Sequence, residues 1–136
     1  MRLILLLKDI AMVAADTTRT ICYLEKLAEN KLLPNFVVVL IAEDNKILPG
    51  QKNLKSKNKI FKILESNRIQ YTVSPDKDIN SKAVIDIIKS RPESTFIFSG
   101  FGGVLLKKNI LNTGKNFLHV HGGYLPDFKG STTNYF

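Results

Sequence analysis

Apolar residues in this chain gather into five short runs that are separated by longer amphipathic stretches. The first two runs, Leu3–Leu7 and Phe36–Ala42, are apolar at every position. Runs without polar alternation are typical of strands that are buried on both faces of a sheet. Three further strands are predicted at Ile69–Val73, Thr95–Ser99 and Phe117–Val120.

The stretches between these strands have the spacing of helices. Helices are predicted from Asp16 or Thr17 to Lys31, over residues 52–66, over residues 80–90 and, shorter, over Val104–Leu111. The first three place apolar residues three and four positions apart, which gives each helix one inward-facing stripe. Strand and helix alternate along the whole chain, which predicts an α/β fold of Rossmann-like type, with an open, mainly parallel sheet and helices on both faces. No repeat or linker interrupts the pattern, so residues 1–136 are predicted to form one domain.

Charge changes the picture by indicating the kind of partner. Lys and Arg number 20 against 12 Asp and Glu, which gives a net charge of +8. The mean hydropathy of -0.01 is typical of a globular protein. An excess of positive charge favours nucleic acid, a phosphorylated substrate or a polyanionic cofactor. Much of the excess lies between Lys46 and Lys62, although a lysine-rich helix face is more often simply solvated.

Neither export nor membrane insertion is predicted. Cys22 is the single cysteine, so no internal disulfide can form, and we expect it to be a small buried residue of the first helix. The apolar start, Leu3–Leu7, is broken by Lys8 and Asp9 and is too short for a signal peptide. A cytoplasmic protein with no membrane partner is expected.

Two loops are predicted at the carboxyl edge of the sheet, where folds of this type bind ligands. The first loop belongs to SGFGGVLLKKNIL, residues 99–111, in which Gly100, Gly102 and Gly103 lie between the fourth strand and the next helix. Glycines allow the backbone to approach a ligand closely, and they also suit a tight turn with no ligand. The segment differs from the dinucleotide fingerprint in spacing and follows the wrong strand, so NAD binding is not indicated.

The second loop belongs to FLHVHGGYLPDFKGSTTNYF, residues 117–136, and it carries both histidines of the chain. On a strand, His119 and His121 would point to one side and Val120 to the other. Such a pair can ligate a metal, exchange protons, or combine a catalyst with a hydrogen-bond donor. A metal needs a third ligand, for which only a carboxylate such as Asp127 is available, so no metal site is expected. A packed, hydrogen-bonded pair of histidines is the alternative without a catalytic role.

The segment HVHGGYLPDFKGSTTNYF resembles the signature loop of the formyltransferases that use formyl-tetrahydrofolate. Members of that family formylate methionyl-tRNA, glycinamide ribonucleotide or amino sugars. The family pattern is Asn-x-His-Pro-Ser-Leu-Leu-Pro followed by a later glycine. His121 matches the catalytic histidine, Leu125-Pro126 match the Leu-Pro step, and Gly130 matches the glycine. SGFGGVLLKKNIL is also similar to the family segment that lines the pterin pocket.

This resemblance implies a reaction and a set of roles. An amine would attack the formyl carbon to form a tetrahedral oxyanion, which would collapse to release the folate. His121 would carry the proton from the amine to the folate nitrogen. Gly102, Gly103, Val104 and Leu105 would line the site of formyl-tetrahydrofolate, the formyl donor.

Three features depart from the family pattern. His119 stands where the family has Asn, and its imidazole is expected to donate to the oxyanion in that residue's place. Gly122-Gly123 replace Pro-Ser. The family's catalytic aspartate lies on a later loop, and no residue of this chain matches it. Because Ser131 or Thr132 looks like a helix cap, the chain is expected to be the N-terminal part of a longer formyltransferase and inactive alone.

The leading hypothesis is therefore formyl transfer to the amine of a small-molecule acceptor. A nucleotide-linked amino sugar is favoured, and methionyl-tRNA is the alternative acceptor. A different hypothesis is a catalytically dead module that binds folate or a nucleotide. The third is a metal hydrolase built on His119 and His121.

Overall fold

The computed structural model describes residues 5–41, 59–120 and 127, and in it strands and helices alternate as predicted. The elements are β1 (Leu5–Ala15), α1 (Thr18–Glu29), β2 (Leu32–Leu40), α2 (Lys59–Ser66), β3 (Gln70–Val73), α3 (Lys82–Ser90), β4 (Thr95–Ser99), α4 (Lys108–Leu111) and β5 (Asn116–Leu118). The described strands form one sheet in the order β3-β2-β1-β4-β5, and every pair is parallel. The predicted Rossmann-like α/β architecture is confirmed.

Alternate side chains of the central strands feed two separate cores. Val13 and Phe96 point to the face covered by α3 and α4, where they pack with Val84, Ile88 and Ile110. Their neighbours along the strands point to the opposite face, which α1 and α2 cover. That second core contains Met12, Ala14, Val37, Val39, Leu24, Ile60, Phe61 and Leu64. Helices therefore lie on both faces, and the central strands are buried on both sides.

The first strand is much longer than the sequence pattern predicts. The prediction ended it at Leu7 and assigned the next residues to a crossover, which is wrong because β1 continues to Ala15. The charged pair Lys8-Asp9 lies where the pairing register with β2 shifts, between Leu7 and Ala11. At this irregularity the Asp9 carboxylate leaves the strand surface and accepts hydrogen bonds from Ser94 N–H and Oγ–H. Lys8 and Asp9 are both exposed, so the strand continues past them without burying a charge.

Other boundaries move by smaller amounts. β2 begins at Leu32, so Pro34 lies within it, paired with Leu7 of β1. Helix α4 covers only Lys108–Leu111, and β5 ends at Leu118 rather than Val120. The predicted start of the second helix, at residue 52, lies outside the described residues.

Cys22 is exposed, so the expectation that it is buried is wrong. Thr20 and Leu24 form the buried positions of α1, and Cys22 lies between them in sequence, on another side of the helix. None of the helices in the described ranges has the length and apolar character needed to cross a membrane.

At the amino edge of the sheet, the buried carboxylate of Glu93 accepts several hydrogen bonds. The Glu93 side chain is fully buried, and it accepts hydrogen bonds from Arg91 Nη2 at 2.6 Å, Arg91 Nε at 3.1 Å and Asn35 Nδ2 at 3.0 Å. Lys115 Nζ donates to the backbone oxygens of Arg91 and Glu93. Burial alone would raise the pKa of Glu93, but the hydrogen bonds from Arg91 and Asn35 outweigh it and lower the pKa below the usual 4.5.

Candidate functional site

The strand order places the topological switch point of the sheet at the carboxyl ends of β1 and β4. These strands are neighbours, but the chain leaves β1 toward β2 on one side and leaves β4 toward β5 on the other. The two connecting segments diverge at such a switch point, and open parallel sheets bind ligands in the opening between them. Residues 16–20, 99–107 and 119 lie along this edge.

The first turn of α1 is joined to the end of β4 by three hydroxyl groups. Thr17 Oγ1 accepts from Thr20 N–H at 3.2 Å, so Thr17 is the cap, one of the two residues predicted for that position. Thr20 Oγ1 lies 2.7 Å from Ser99 Oγ and 3.0 Å from Thr17 Oγ1, and it donates to Ser99 O. Thr20 and Ser99 are fully buried. This hydroxyl cluster (Thr17, Thr20, Ser99) fixes one wall of the crevice.

Arg19 brings a positive charge to the same wall. Its Nη2 donates to Gly100 O at 2.5 Å, which ties the guanidinium to the first residue after β4. Its Nε is buried and has no hydrogen-bond partner in the part of the chain that the structure describes. Nothing in the sequence pattern pointed to this arginine, because its partner is a backbone oxygen far away in sequence.

The three predicted glycines lie between β4 and the next helix, as expected, and they differ in what they permit. A Cβ on Gly100 would overlap Cζ and Cε2 of the Phe98 ring, so this position has no room for a side chain. Gly102 and Gly103 form an open turn, where an added Cβ would meet nothing within 4 Å, and Gly103 has φ +78. Of these three glycines, only Gly103 requires the left-handed backbone that glycine adopts freely.

The segment after this turn presents one apolar side chain outward. Val104 and Leu106 pack against the core that α3 and α4 cover, whereas Leu105 between them is 79% exposed. The backbone of Leu105 and Lys107 is held by the buried side chain of Asn80. Val104 and Leu105, two of the predicted pocket residues, thus belong to a segment whose backbone is hydrogen-bonded to the Asn80 side chain.

His119 follows β5 directly and reaches across to β4. Its Nδ1–H donates to Phe98 O at 3.2 Å, and the imidazole and Phe98 ring centroids lie 5.7 Å apart. A carbonyl oxygen only accepts, so Nδ1 carries the hydrogen in this arrangement, and Nε2 of the neutral ring is an acceptor. The expected donation to an oxyanion would then require the doubly protonated imidazolium. Sequence reasoning could not have found this because it depends on the β4–β5 pairing.

Several predicted site residues lie outside the described residues: His121, Gly122, Gly123, Leu125, Pro126 and Gly130. Asp127 is described and is exposed. The strand ends before His119, so the expectation that His119 and His121 share one side stays a prediction.

The described residues bring no three His, Cys, Asp or Glu side chains together in a group that could hold a metal ion. The carboxyl groups of Asp9 and Glu93, whose pKa values are lowered, belong to the amino edge. For Asp9 the cause is the pair of hydrogen bonds from Ser94. These two carboxylates therefore serve the fold rather than the crevice.

Sequence reasoning missed Arg19, Thr20 and Asn80. Thr20 carried a signal, since it is a polar residue four positions before Leu24 on the inward stripe of α1, where a hydroxyl needs a buried partner. Asn80 precedes the cap Ser81, a position where an amide is ordinary in sequence. Its role becomes visible only through contacts with residues 105–109.

The architecture defines a class of protein: a doubly wound parallel sheet with a glycine turn and a histidine at its carboxyl edge, which is the edge where such sheets bind ligands. No protein-family model matches the sequence, and no curated protein matches it.

Solved structures do match the fold. One is a phosphoribosylglycinamide formyltransferase from Anaplasma phagocytophilum, with a TM-score of 0.59 and 16% sequence identity, which covers 91% of this chain and 54% of that one. Another is the phosphoribosylglycinamide formyltransferase from Streptococcus pneumoniae TIGR4, with a TM-score of 0.58 and 13% identity, which covers 93% of this chain and 63% of that one. The chain therefore has the fold of these enzymes and spans somewhat more than half of their length.

Proposed function

We propose that this chain is part of a formyltransferase that moves a formyl group from formyl-tetrahydrofolate to an amine. The proposal rests on the positions of two segments in the fold. The segment that resembles the pterin-lining segment and the histidine loop that resembles the catalytic signature follow β4 and β5, which pair in parallel, so both start at the same edge. The likeness in fold to two phosphoribosylglycinamide formyltransferases supports it.

The described residues suit a flat aromatic ligand on that edge. Leu105 offers an exposed apolar surface, and the open turn at Gly102-Gly103 leaves space for a ring to approach the backbone. We assign the pterin of formyl-tetrahydrofolate to this surface, lined by Gly102, Gly103 and Leu105, with Val104 beneath them on the core. Burying a flat ring against Leu105 would remove that side chain from water, which favours binding.

We assign the proton transfer to His121. The amine nitrogen would add to the formyl carbon to give a tetrahedral oxyanion. Its collapse would break the bond to the folate nitrogen, and the proton lost by the amine would pass through His121 to that nitrogen. His119 would stabilise the oxyanion when it is an imidazolium, because its Nδ1–H is already donated to Phe98 O.

A nucleotide-linked amino sugar is our preferred acceptor, with methionyl-tRNA as the alternative. Arg19 supports an acceptor that carries phosphate, since its guanidinium is held at the wall of the crevice by Gly100 O. The net charge of +8 fits either acceptor.

The test is formyl transfer by the full-length protein, with 10-formyl-tetrahydrofolate and a panel of amines: nucleotide-linked amino sugars, glycinamide ribonucleotide and methionyl-tRNA. We expect a formylated product, identified by mass, from one class of acceptor. His121→Asn should abolish turnover but leave folate binding intact, whereas His119→Asn, which restores the family residue, should retain turnover. A protein that neither binds the folate nor forms product would contradict the proposal.

The replacement of Asn by His119 also favours a second candidate, a folate-binding module without catalysis. With its Nδ1–H donated to Phe98 O, the neutral imidazole of His119 has no second N–H to give to an oxyanion, unlike the amide of Asn. Under this candidate the full-length protein binds 5-formyltetrahydrofolate and gives no product with any amine. Turnover by the wild type would exclude it.

A further inference from the structure

Asn80 is a buried polar residue that no motif of the sequence accounts for. It is 8% exposed and immediately precedes Ser81, the N-cap of α3. A buried carboxamide is costly unless its donor and acceptor are both satisfied. The partners of Asn80 lie not in its own loop alone but in residues 105–109, which include Leu105 of the proposed pterin surface.

The carboxamide bridges two backbone groups that flank Leu106. Nδ2 donates to Leu105 O at 2.9 Å, and Oδ1 accepts from Lys107 N–H at 2.7 Å. These two bonds show that the Leu105 carbonyl and the Lys107 N–H face the same side of the chain, so one primary amide satisfies both. The reversed amide would oppose donor to donor and acceptor to acceptor, so the network fixes its orientation.

The main chain of Asn80 is held as well. Its N–H donates to Asp78 Oδ1 at 2.9 Å, and its carbonyl accepts from Asn109 Nδ2 at 3.2 Å. Three hydrogen bonds thus join Asn80 to the segment from Leu105 to Asn109. A fourth holds the backbone N–H of Asn80 on the Asp78 carboxylate. Asn80 is therefore the main polar anchor of this segment.

We propose that Asn80 is a positioning residue for folate binding. It holds the backbone on either side of Leu106, so that Val104 and Leu106 stay on the core and Leu105 is presented outward. The segment is then ordered before a ligand arrives, and the entropy cost of ordering it is not subtracted from the binding free energy. The inference rests on the proposed function, because it assumes that the ligand of Leu105 is a folate.

The test compares Asn80→Asp with the wild type in the full-length protein. The aspartate keeps an acceptor for Lys107 N–H but sets a carboxylate oxygen against Leu105 O in place of the donor. We expect the Kd for 5-formyltetrahydrofolate, measured by calorimetry, to rise about tenfold, the equivalent of roughly one lost hydrogen bond to the segment. Hydrogen exchange of the Lys107 amide should accelerate by about the same factor, since opening of the segment becomes easier.

Two control variants separate positioning from general loss of stability. Asn30→Asp makes the same chemical change at the exposed end of α1, where Asn30 Nδ2 donates to Lys26 O at 2.8 Å. Asn35→Ala removes a side-chain amide that donates to Glu93, at the amino edge and away from the site. Both controls should bind the folate within about twofold of the wild type when each is assayed well below its unfolding temperature.

The outcomes are distinct. Weakened folate binding together with faster Lys107 exchange, in Asn80→Asp alone, supports the inference. Faster exchange with unchanged binding would overturn it and leave Asn80 as a purely structural residue. If the wild type itself binds no folate, the proposed function fails and the inference falls with it, which the wild-type titration reveals before any variant is made.

Discussion

At the scale of single residues, the aromatic ring of Phe98 contacts both Gly100 and His119. The ring lies over the backbone of Gly100 and against the imidazole of His119, and it is 6% exposed. Because the ring is packed in the core on its other side, it cannot move away cheaply. A change at residue 100 should therefore reach His119 without touching it.

Gly100→Ala tests this linkage, with Gly102→Ala as the matched control. The new methyl group at residue 100 overlaps the Phe98 ring, so we expect a loss of about 1–3 kcal/mol in the free energy of unfolding. The control meets nothing within 4 Å and should change stability by less than about 0.5 kcal/mol. Urea unfolding measures both, and the NMR signals of the His119 ring should shift only in Gly100→Ala. Equal stability of the two variants would contradict the prediction.

Glu93 makes a prediction about pH. Its pKa is lowered in the folded protein, so its stabilising contribution is complete above the unfolded value of 4.5 and is lost as pH falls through the lower folded value. Glu93→Gln cannot titrate and satisfies fewer donors, so it should be less stable at pH 7 by about 1–2 kcal/mol. The difference from wild type should shrink as the pH is lowered below 4.5 in urea unfolding. A difference that stays constant over this range would show that Glu93 is not the titrating group.

At the scale of elements, the hydroxyl cluster makes α1 and β4 depend on each other. Thr20→Val keeps the shape of the side chain but removes the partner of the buried Ser99 hydroxyl. We expect a loss of about 1–3 kcal/mol in the free energy of unfolding.

A double-mutant cycle with Ser99→Ala measures the link directly. The double variant no longer has an unpaired hydroxyl at residue 99, so its loss should be smaller than the sum of the two single losses, by about 1 kcal/mol. Strict additivity of the four unfolding free energies would mean that the two hydroxyls do not interact.

The bounds of the strands show which features can be predicted from sequence patterns and which cannot. The strand Thr95–Ser99 was predicted with its observed bounds, because its flanking Pro92 and Gly100 punctuate the chain clearly. The extension of β1 past Lys8-Asp9 could not be predicted, because charges inside a strand are tolerated here through contacts with Ser94, which is distant in sequence. The burial of Cys22 was mispredicted for a related reason: the helix stripe uses Thr20, whose polar side chain does not register as apolar.

The candidate site likewise combines features that local sequence predicts with contacts that it does not. The glycine turn is local, and its position between β4 and the next helix followed from the sequence. Arg19, Asn80 and the hydrogen bond from His119 to Phe98 depend on pairs of residues that only the folded sheet brings together. Such contacts have no periodicity, so a single sequence cannot reveal them.

At the scale of the whole molecule, the net charge of +8 should oppose the compact state. Salt screens this repulsion, so raising NaCl from about 20 mM to about 500 mM should increase the Tm by about 3 °C. Lys62→Glu, at an exposed position of α2, lowers the net charge by two and should raise the Tm at low salt while reducing the response to salt. Scanning calorimetry of both proteins checks this, and a Tm that falls with NaCl would contradict it.

The strand order has a further consequence for how the protein is made. β1 pairs with β2 across a single helix, but its other edge pairs with β4, where Ile10 meets Thr95. During synthesis, β1, α1 and β2 leave the ribosome long before β4 does. One edge of β1 therefore stays unpaired until β4 has been translated. The nascent chain should therefore depend on chaperones most strongly in the interval before β4 emerges. A synonymous-codon change that slows translation just ahead of Thr95 would prolong that interval.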